Sequence, residues 1–170
     1  MTGRPQSNEF VEYYTKYINL VPGDDAPAIL SRQLEEAKPF LANISEEKSL
    51  HRYAPGKWSI RELLNHVTDT ERAFTYRALW FARGFDAPLV SYDQETAAAG
   101  AQADKISWSA HVEEFERVRL ATLSLFANMP PESWSRAGIV SGNRFTVRAL
   151  AFIIPGHVTH HLNILRDRYL

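Results

Sequence analysis

The chain contains no cysteine in its 170 residues. Disulfides, thiolate metal sites and cysteine nucleophiles are therefore excluded, and a reducing cytoplasm is permitted. No apolar run approaches the roughly 18 residues that a membrane-spanning helix needs. The opening "MTGRPQSNEF" has no apolar signal core, so export by a cleaved signal is not expected. Charge of one sign is missing too: 19 Lys and Arg face 20 Asp and Glu, for a formal net charge of -1. Such a chain has no basic field to draw it to nucleic acid or to an acidic membrane. Internal repeats and low-complexity segments are absent. What remains is an ordinary globular balance, 45% hydrophobic and 23% charged. It predicts a soluble, cytoplasmic protein with one domain spanning 1–170.

What is present is helical periodicity. Proline and glycine punctuate the chain at "VPGDDAP", "YAPGKWS", "RGFDAPLVSYDQ", "MPPESWSRAG" and "SGNR", all turn compositions. Between them the spacing predicts four helices. The first runs from about Ala26 to Asn43, with Ile29, Leu30, Leu34, Ala37 and Leu41 on one side. The second starts at the N-cap Ser59, where "SIRE" forms a capping-box pattern with Glu62, and passes Leu63, Leu64, Val67 and Phe74. The third opens at Ser107 or Ser109 and carries Val112, Phe115, Val118, Leu123 and Phe126. The fourth begins behind Thr146 and reaches the end. A short helix in "NEFVEYYTKYI" precedes them, within an N-terminal extension covering 1–24. No strong two-residue alternation demands a sheet, although "RAGIVSGNRFTV" could form a small hairpin. The expected class is all-α, an antiparallel four-helix bundle. The connection 84–107 is long for such a bundle, which suggests an active-site cover or a partner contact.

The last helix poses a question of chemistry. On a wheel of about 100° per residue, Val147, Leu150, Ile154, Val158 and Leu165 form its apolar stripe. His157 and His161 fall inside that stripe, about 40° apart, while His160 lies to one side. A buried imidazole needs partners for both ring nitrogens. Two core-edge histidines bonded to carbonyls or hydroxyls are one reading. A shared metal site is the other, since ligands at i and i+4 point to a common centre. A third ligand would come from another helix, and His66 in "ELLNHVTDTE" lies beside the stripe of Leu63, Val67 and Phe74. His51 in a loop and His111 in a first helical turn read as solvated. Asp69 is either a carboxylate that orients His66 from behind or an exposed charge. Pro155 should kink the last helix near Phe152–Pro155 and so help aim His157, with Gly156 left as room for substrate. Among the aromatics Trp58, Tyr76, Trp80, Phe81, Tyr92 and Trp108, most read as core and a few as pocket wall.

"PGKWSIRELLNHVTDTE", followed much later by "HVTHHLNILRDR", resembles the DinB/YfiT-like superfamily of metal-dependent enzymes. The resemblance runs from about residue 25 to the end. It is carried most specifically by the W-S-x-x-E-x-x-x-H opening of the second helix and the H-x-x-x-H of the last. It implies a DinB-like four-helix bundle and a metal-binding histidine triad, which maps onto His66, His157 and His161. Three imidazoles form an open shell, whereas closed structural sites usually have four protein ligands. Zinc or nickel is the expected divalent ion, and iron or cobalt would also suit imidazole. Zinc in such a shell can bring the pKa of bound water to about 7. Relatives include bacillithiol and mycothiol S-transferases. The resemblance therefore implies a hydrolase, or a transferase moving a low-molecular-weight thiol onto a small-molecule electrophile, and a homodimer. A non-catalytic, stress-related metal or ligand binder is the alternative.

Overall fold

A computed structural model describes residues 2–91 and 93–170. Four helices of 17 to 23 residues dominate the described chain: α2 (Ala26–Ala42), α3 (Ile60–Ala82), α5 (Trp108–Ala127) and α6 (Val147–Ile164). Two shorter ones are α1 (Thr15–Ile18) and α4 (Gln94–Ala101). Helix α3 packs against α5 and α6, and α2 packs against the same two, so the long helices close a ring around one interior. No helix of the described residues is long and apolar enough to cross a membrane.

The helices start where their side chains can satisfy the first free backbone N–H groups. Ser59 Oγ accepts from Glu62 N at 3.1 Å, and Ser59 N donates to the Glu62 carboxylate at 2.8 Å, which is the predicted capping box. Thr146 caps α6 through Ala149 N at 3.1 Å. Ser107 rather than Ser109 caps α5, through Ala110 N at 3.3 Å.

Three expectations need correction. The protein is not purely helical: β1 (Ala137–Val140) and β2 (Asn143–Thr146) pair antiparallel in a two-stranded sheet. The turn between them places Ser141 at φ 46° and Gly142 at φ 79°, the left-handed pair a tight hairpin requires. A serine in that conformation is a weak signal, which is why the sequence only hinted at a hairpin. Gly138 has a steric reason to be glycine, because a Cβ there would lie 1.9 Å from the Phe81 ring. The N-terminal helix is broken into 3-10 turns at Ser7–Glu9 and Glu12–Tyr14, followed by α1. Glu9 is drawn inward between them, where Thr146 Oγ1 donates to it at 2.7 Å and Arg148 pairs with it. The connection 84–107 is not structureless, since it contains α4 and a 3-10 turn at Ala103–Lys105. One end is tied to the hairpin by Leu89 N to Ile139 O and Ser141 N to Leu89 O, both 2.9 Å. The other is tied to α3 by Arg61, which donates to the carbonyls of Asp104 (3.1 Å) and Ile106 (2.7 Å).

The interior divides into two apolar clusters. One contains Leu30, Phe74, Phe81, Phe126 and Ile154; the other contains Leu34, Leu64, Val67, Phe115 and Val158. Between them each long helix carries a buried polar residue: Gln33 on α2, Glu71 on α3, Arg119 on α5 and His157 on α6. Arg119 is fully enclosed and donates from Nε and Nη2 to the two Glu71 oxygens, each at 2.8 Å. Its Nη1 reaches Gln33 Oε1 at 2.9 Å and Leu30 O at 3.1 Å. Gln33 Nε2 then donates to Pro155 O and Thr159 Oγ1, both at 2.8 Å. A polar layer thus crosses the bundle at the level of the histidines.

Candidate metal centre

The imidazoles of His66, His157 and His161 meet at that layer. His66 lies in the second turn of α3, between Leu63 and Val67, whose burial fixes the face it presents. His157 and His161 are one turn apart on α6, so one helix orientation aims both. The Nε2 atoms of His66 and His157 are 3.2 Å apart, and those of His161 and His157 are 3.1 Å apart. One nitrogen from each of the three rings lies within 4.8 Å of the others.

These distances fit a cation better than a hydrogen-bonded cluster. An imidazole nitrogen carries either one N–H or one lone pair, so His157 Nε2 cannot make a linear hydrogen bond with both neighbours. His161 adds a second difficulty. Its Nδ1 is buried with no hydrogen-bond partner, so its proton is unsatisfied on Nδ1 and crowded on Nε2. Two nitrogens bound to one ion at about 2.05 Å lie about 3.3 Å apart in a tetrahedral shell and about 2.9 Å apart at a right angle. The His66–His157 and His157–His161 spacings fall between those limits, and the set as a whole lies within 4.8 Å. The donor set, all imidazole, suits zinc, nickel, iron or cobalt.

Electrostatics keep the rings neutral. Burial pushes His66 down to about 4, against the opposing pull of the Asp69 charge. Burial, helped by His66, His160 and Lys16, brings His161 down to about 3. Burial and its three histidine neighbours hold His157 well below the ordinary imidazole range. Neutral imidazole is the ligating form, so the site is ready to coordinate at physiological pH.

Other predicted residues fall differently. The Asp69 carboxylate accepts from Asn65 Nδ2 at 2.8 Å and from Arg72 Nη1 at 2.9 Å. The group beside His66 Nδ1 is the Thr70 hydroxyl, at 3.5 Å. His111 is not solvated: it is 1% exposed, and its Nε2 is 2.9 Å from the carbonyl of Ala103, pinning the end of the long connection. His51 is exposed. His160 stands to one side as the wheel required, its ring 5.3 Å from Tyr17. Helix α6 runs through Pro155 without interruption. Gly156 gives room to the protein rather than to a ligand, because a Cβ there would lie 2.2 Å from the Tyr17 carbonyl oxygen. That close approach seats α1 on α6 and sets the Tyr17 ring 5.5 Å from His157. Trp58 packs its ring 4.8 Å from His66. Tyr92 lies outside the described residues.

Two cavities flank the triad. One of about 110 Å³ is bordered by His66 and His157 with Tyr13, Thr70, Phe74 and Arg77. The other, of about 240 Å³, is bordered by His161 with Trp58, Lys57, Glu95 and Tyr169. Gln94, in the first turn of α4, borders both. The 84–107 connection therefore contributes to the walls of both cavities.

Sequence reasoning passed over Glu71, Arg119 and Gln33, yet each left a signal. Glu71 falls at i+4 from Val67 and three before Phe74. Arg119 falls at i+4 from Phe115, and Gln33 falls three after Leu30 and four before Ala37 on their stripe. A charged residue inside an apolar stripe marks a buried pair.

With this geometry in view, the comparisons with known proteins converge. The model of the DinB superfamily matches residues 29–165. The chain belongs to that superfamily. Among solved structures it is similar to YfiT from Bacillus subtilis, described as a probable metal-dependent hydrolase with an unusual four-helix bundle topology. The two superpose with a TM-score of 0.68 at 14% identity, over 96% of this chain and 91% of that one. At that identity the likeness speaks for the fold. No curated protein matches the chain.

Proposed function

We propose that this protein is a metal-dependent enzyme acting on a small molecule, with His66, His157 and His161 holding one divalent ion. Zinc or nickel is the preferred ion. The observation that carries the reading is the convergence of three Nε2-bearing rings at 3.1 and 3.2 Å, two buried and one half-buried, with cavities on either side. A divalent ion in such a site supplies Lewis acidity, which makes water or a thiol nucleophilic near neutral pH. The chain's own residues bind and orient. The packing of Trp58 and Thr70 against His66 holds that ring, and Gln94 in the first turn of α4 borders the cavities on either side. Hydrolysis and transfer of a low-molecular-weight thiol both suit this arrangement, in a cytoplasmic enzyme.

A second reading, a non-catalytic metal or ligand binder, draws support from the scarcity of proton acceptors. Among the described residues, Glu95 is the single carboxylate bordering either flanking cavity. Two measurements decide. Elemental analysis of protein made without a polyhistidine tag should find about one equivalent of metal per chain, lost in His66→Ala. Metal far below that level in the wild type ends the proposal. Turnover of a thiol with a panel of electrophiles, or of a panel of small hydrolysable substrates, abolished by His161→Ala, separates enzyme from binder.

A further inference from the structure

The three imidazoles come from two helices, so the contacts that fix the start of α3 against the end of α6 decide how well they converge. Trp58, just before α3, sets its indole ring 4.8 Å from the His66 ring, tilted by 46°. Trp80 Nε1 donates to Ala87 O at 3.1 Å and Trp108 Nε1 to Leu41 O at 3.0 Å. Among the described residues the Trp58 indole has no such bond. It is held through its backbone instead: the Tyr169 hydroxyl donates to the Trp58 carbonyl oxygen at 2.8 Å.

A change in the helix places Tyr169 for that bond. Beyond Ile164 the last helix widens into a π turn, Leu165–Tyr169, closed by Leu170 N to Leu165 O at 3.2 Å. In an unbroken α-helix Tyr169, eight positions after His161, would lie about 80° around the axis from it. A wider turn advances less per residue, which brings the tyrosine back toward the face of His161. Such turns are rare and recur at functional sites. Both residues border the cavity of about 240 Å³, together with Tyr53 and Trp58.

Tyr169 is fitted to this task. Its ring is buried and packs edge-on against Tyr53, with centroids 4.8 Å apart. Burial raises the phenol to about 12, so the hydroxyl keeps its proton at physiological pH. A carbonyl oxygen only accepts, which fixes the direction of the bond. The loop around Trp58 has other anchors: Arg52 Nη1 donates to Lys57 O at 2.8 Å, and Ile60 N to His51 O at 3.3 Å. Losing the hydroxyl therefore frees Trp58 without freeing the loop.

We propose that Tyr169 is a positioning residue of the metal centre: its hydroxyl fixes Trp58, and Trp58 fixes the ring of His66. These contacts tie the end of the helix that carries two of the histidines to the start of the helix that carries the third. The consequence for metal affinity rests on the metal-enzyme reading; the consequence for the His66 ring does not.

The test removes one hydroxyl from the full-length protein. Tyr169→Phe keeps the buried ring and should weaken cobalt(II) binding, followed by cobalt absorption, about fivefold. Trp58→Leu keeps the Tyr169 bond, which is made to backbone, but loses the indole, and should weaken cobalt at least as much. With Trp58→Leu already present, Tyr169→Phe should cost nothing further, because its effect passes through the indole. A merely structural bond would give the same loss in both backgrounds, and that result overturns the inference. Unchanged cobalt affinity in Trp58→Leu overturns it too. Urea unfolding checks each variant, and a Tyr169→Phe protein that does not fold counts against the inference, since the bond would then hold more than the indole. In the metal-free protein, the ring NMR signals of His66 should move in Tyr169→Phe while those of His111, tied to Ala103 O, stay in place. An unmoved His66 signal overturns the positioning role. Failure of the wild type to retain cobalt sinks the metal-enzyme reading, and the His66 signals then decide the role of Tyr169 by themselves.

Discussion

The polar layer that crosses the bundle has two ends built on opposite principles. At one end Arg119 and Glu71 are fully enclosed, and each guanidinium nitrogen has an acceptor on Glu71, Gln33 or Leu30. Charge meets charge, donors meet acceptors, and no further ligand is needed. At the other end three imidazoles face one another with more lone pairs and protons than they can reconcile, and His161 Nδ1 is left without a partner. Gln33 joins the two ends through the carbonyl of Pro155 and the hydroxyl of Thr159, which bracket His157 on α6. A closed network gives rigidity; an open one gives a site, held in place by the first.

The contrast can be broken most severely at the closed end. Arg119→Met leaves Glu71 buried without its countercharge and should cost about 3–5 kcal/mol, read from the urea midpoint. Replacing both partners, Glu71→Leu with Arg119→Met, should cost much less, because no buried charge is then stranded. Equal losses in the single and double variants would show that the pair is not acting as a closed unit.

Acid sharpens the contrast at the open end. Burial lowers His66 to about 4 and His161 to about 3, from an ordinary value of 6.5. The unfolded chain therefore takes up protons first as pH falls. Stability of the metal-free protein is fully present above about pH 6.5 and is lost on the way down to pH 4, by up to about 1.4 kcal/mol per pH unit and per histidine. Urea titrations across that window should show the slope, and a His66→Gln variant should flatten it. An unchanged slope in that variant would place the acid sensitivity elsewhere.

The smallest effect runs the other way. His157→Leu removes the ring whose nitrogen faces two others. It should raise the thermal midpoint of the metal-free protein, by an amount equivalent to about 1 kcal/mol, while abolishing metal retention. A stability loss there would mean that the triad is satisfied in the metal-free state.

Much of this was legible in the chain. The starts of α3 and α6 followed from Ser59, Glu62 and Thr146, because capping is local chemistry between neighbours. His157 and His161 announced themselves through periodicity, and His66 through its place beside an apolar stripe. The hairpin was fainter, since it depends on a serine accepting positive φ next to Gly142. The helix within 84–107 was missed because "QETAAAGA" has almost no apolar face, and it stands where it does because Leu89 and Arg61 anchor the flanking backbone. His111 read as surface until the carbonyl of Ala103 was seen to meet it.

By itself, then, the order of residues determined which segments coil, where they begin and which imidazoles point inward, since those depend on spacing of a few positions. Only the packed bundle decided that α3 and α6 bring their histidines within 3.2 Å, that Gly156 receives the backbone of Tyr17 and that Glu71 finds Arg119. Those partners are separated by dozens of residues, and the chain acquires such distances only when its helices pack.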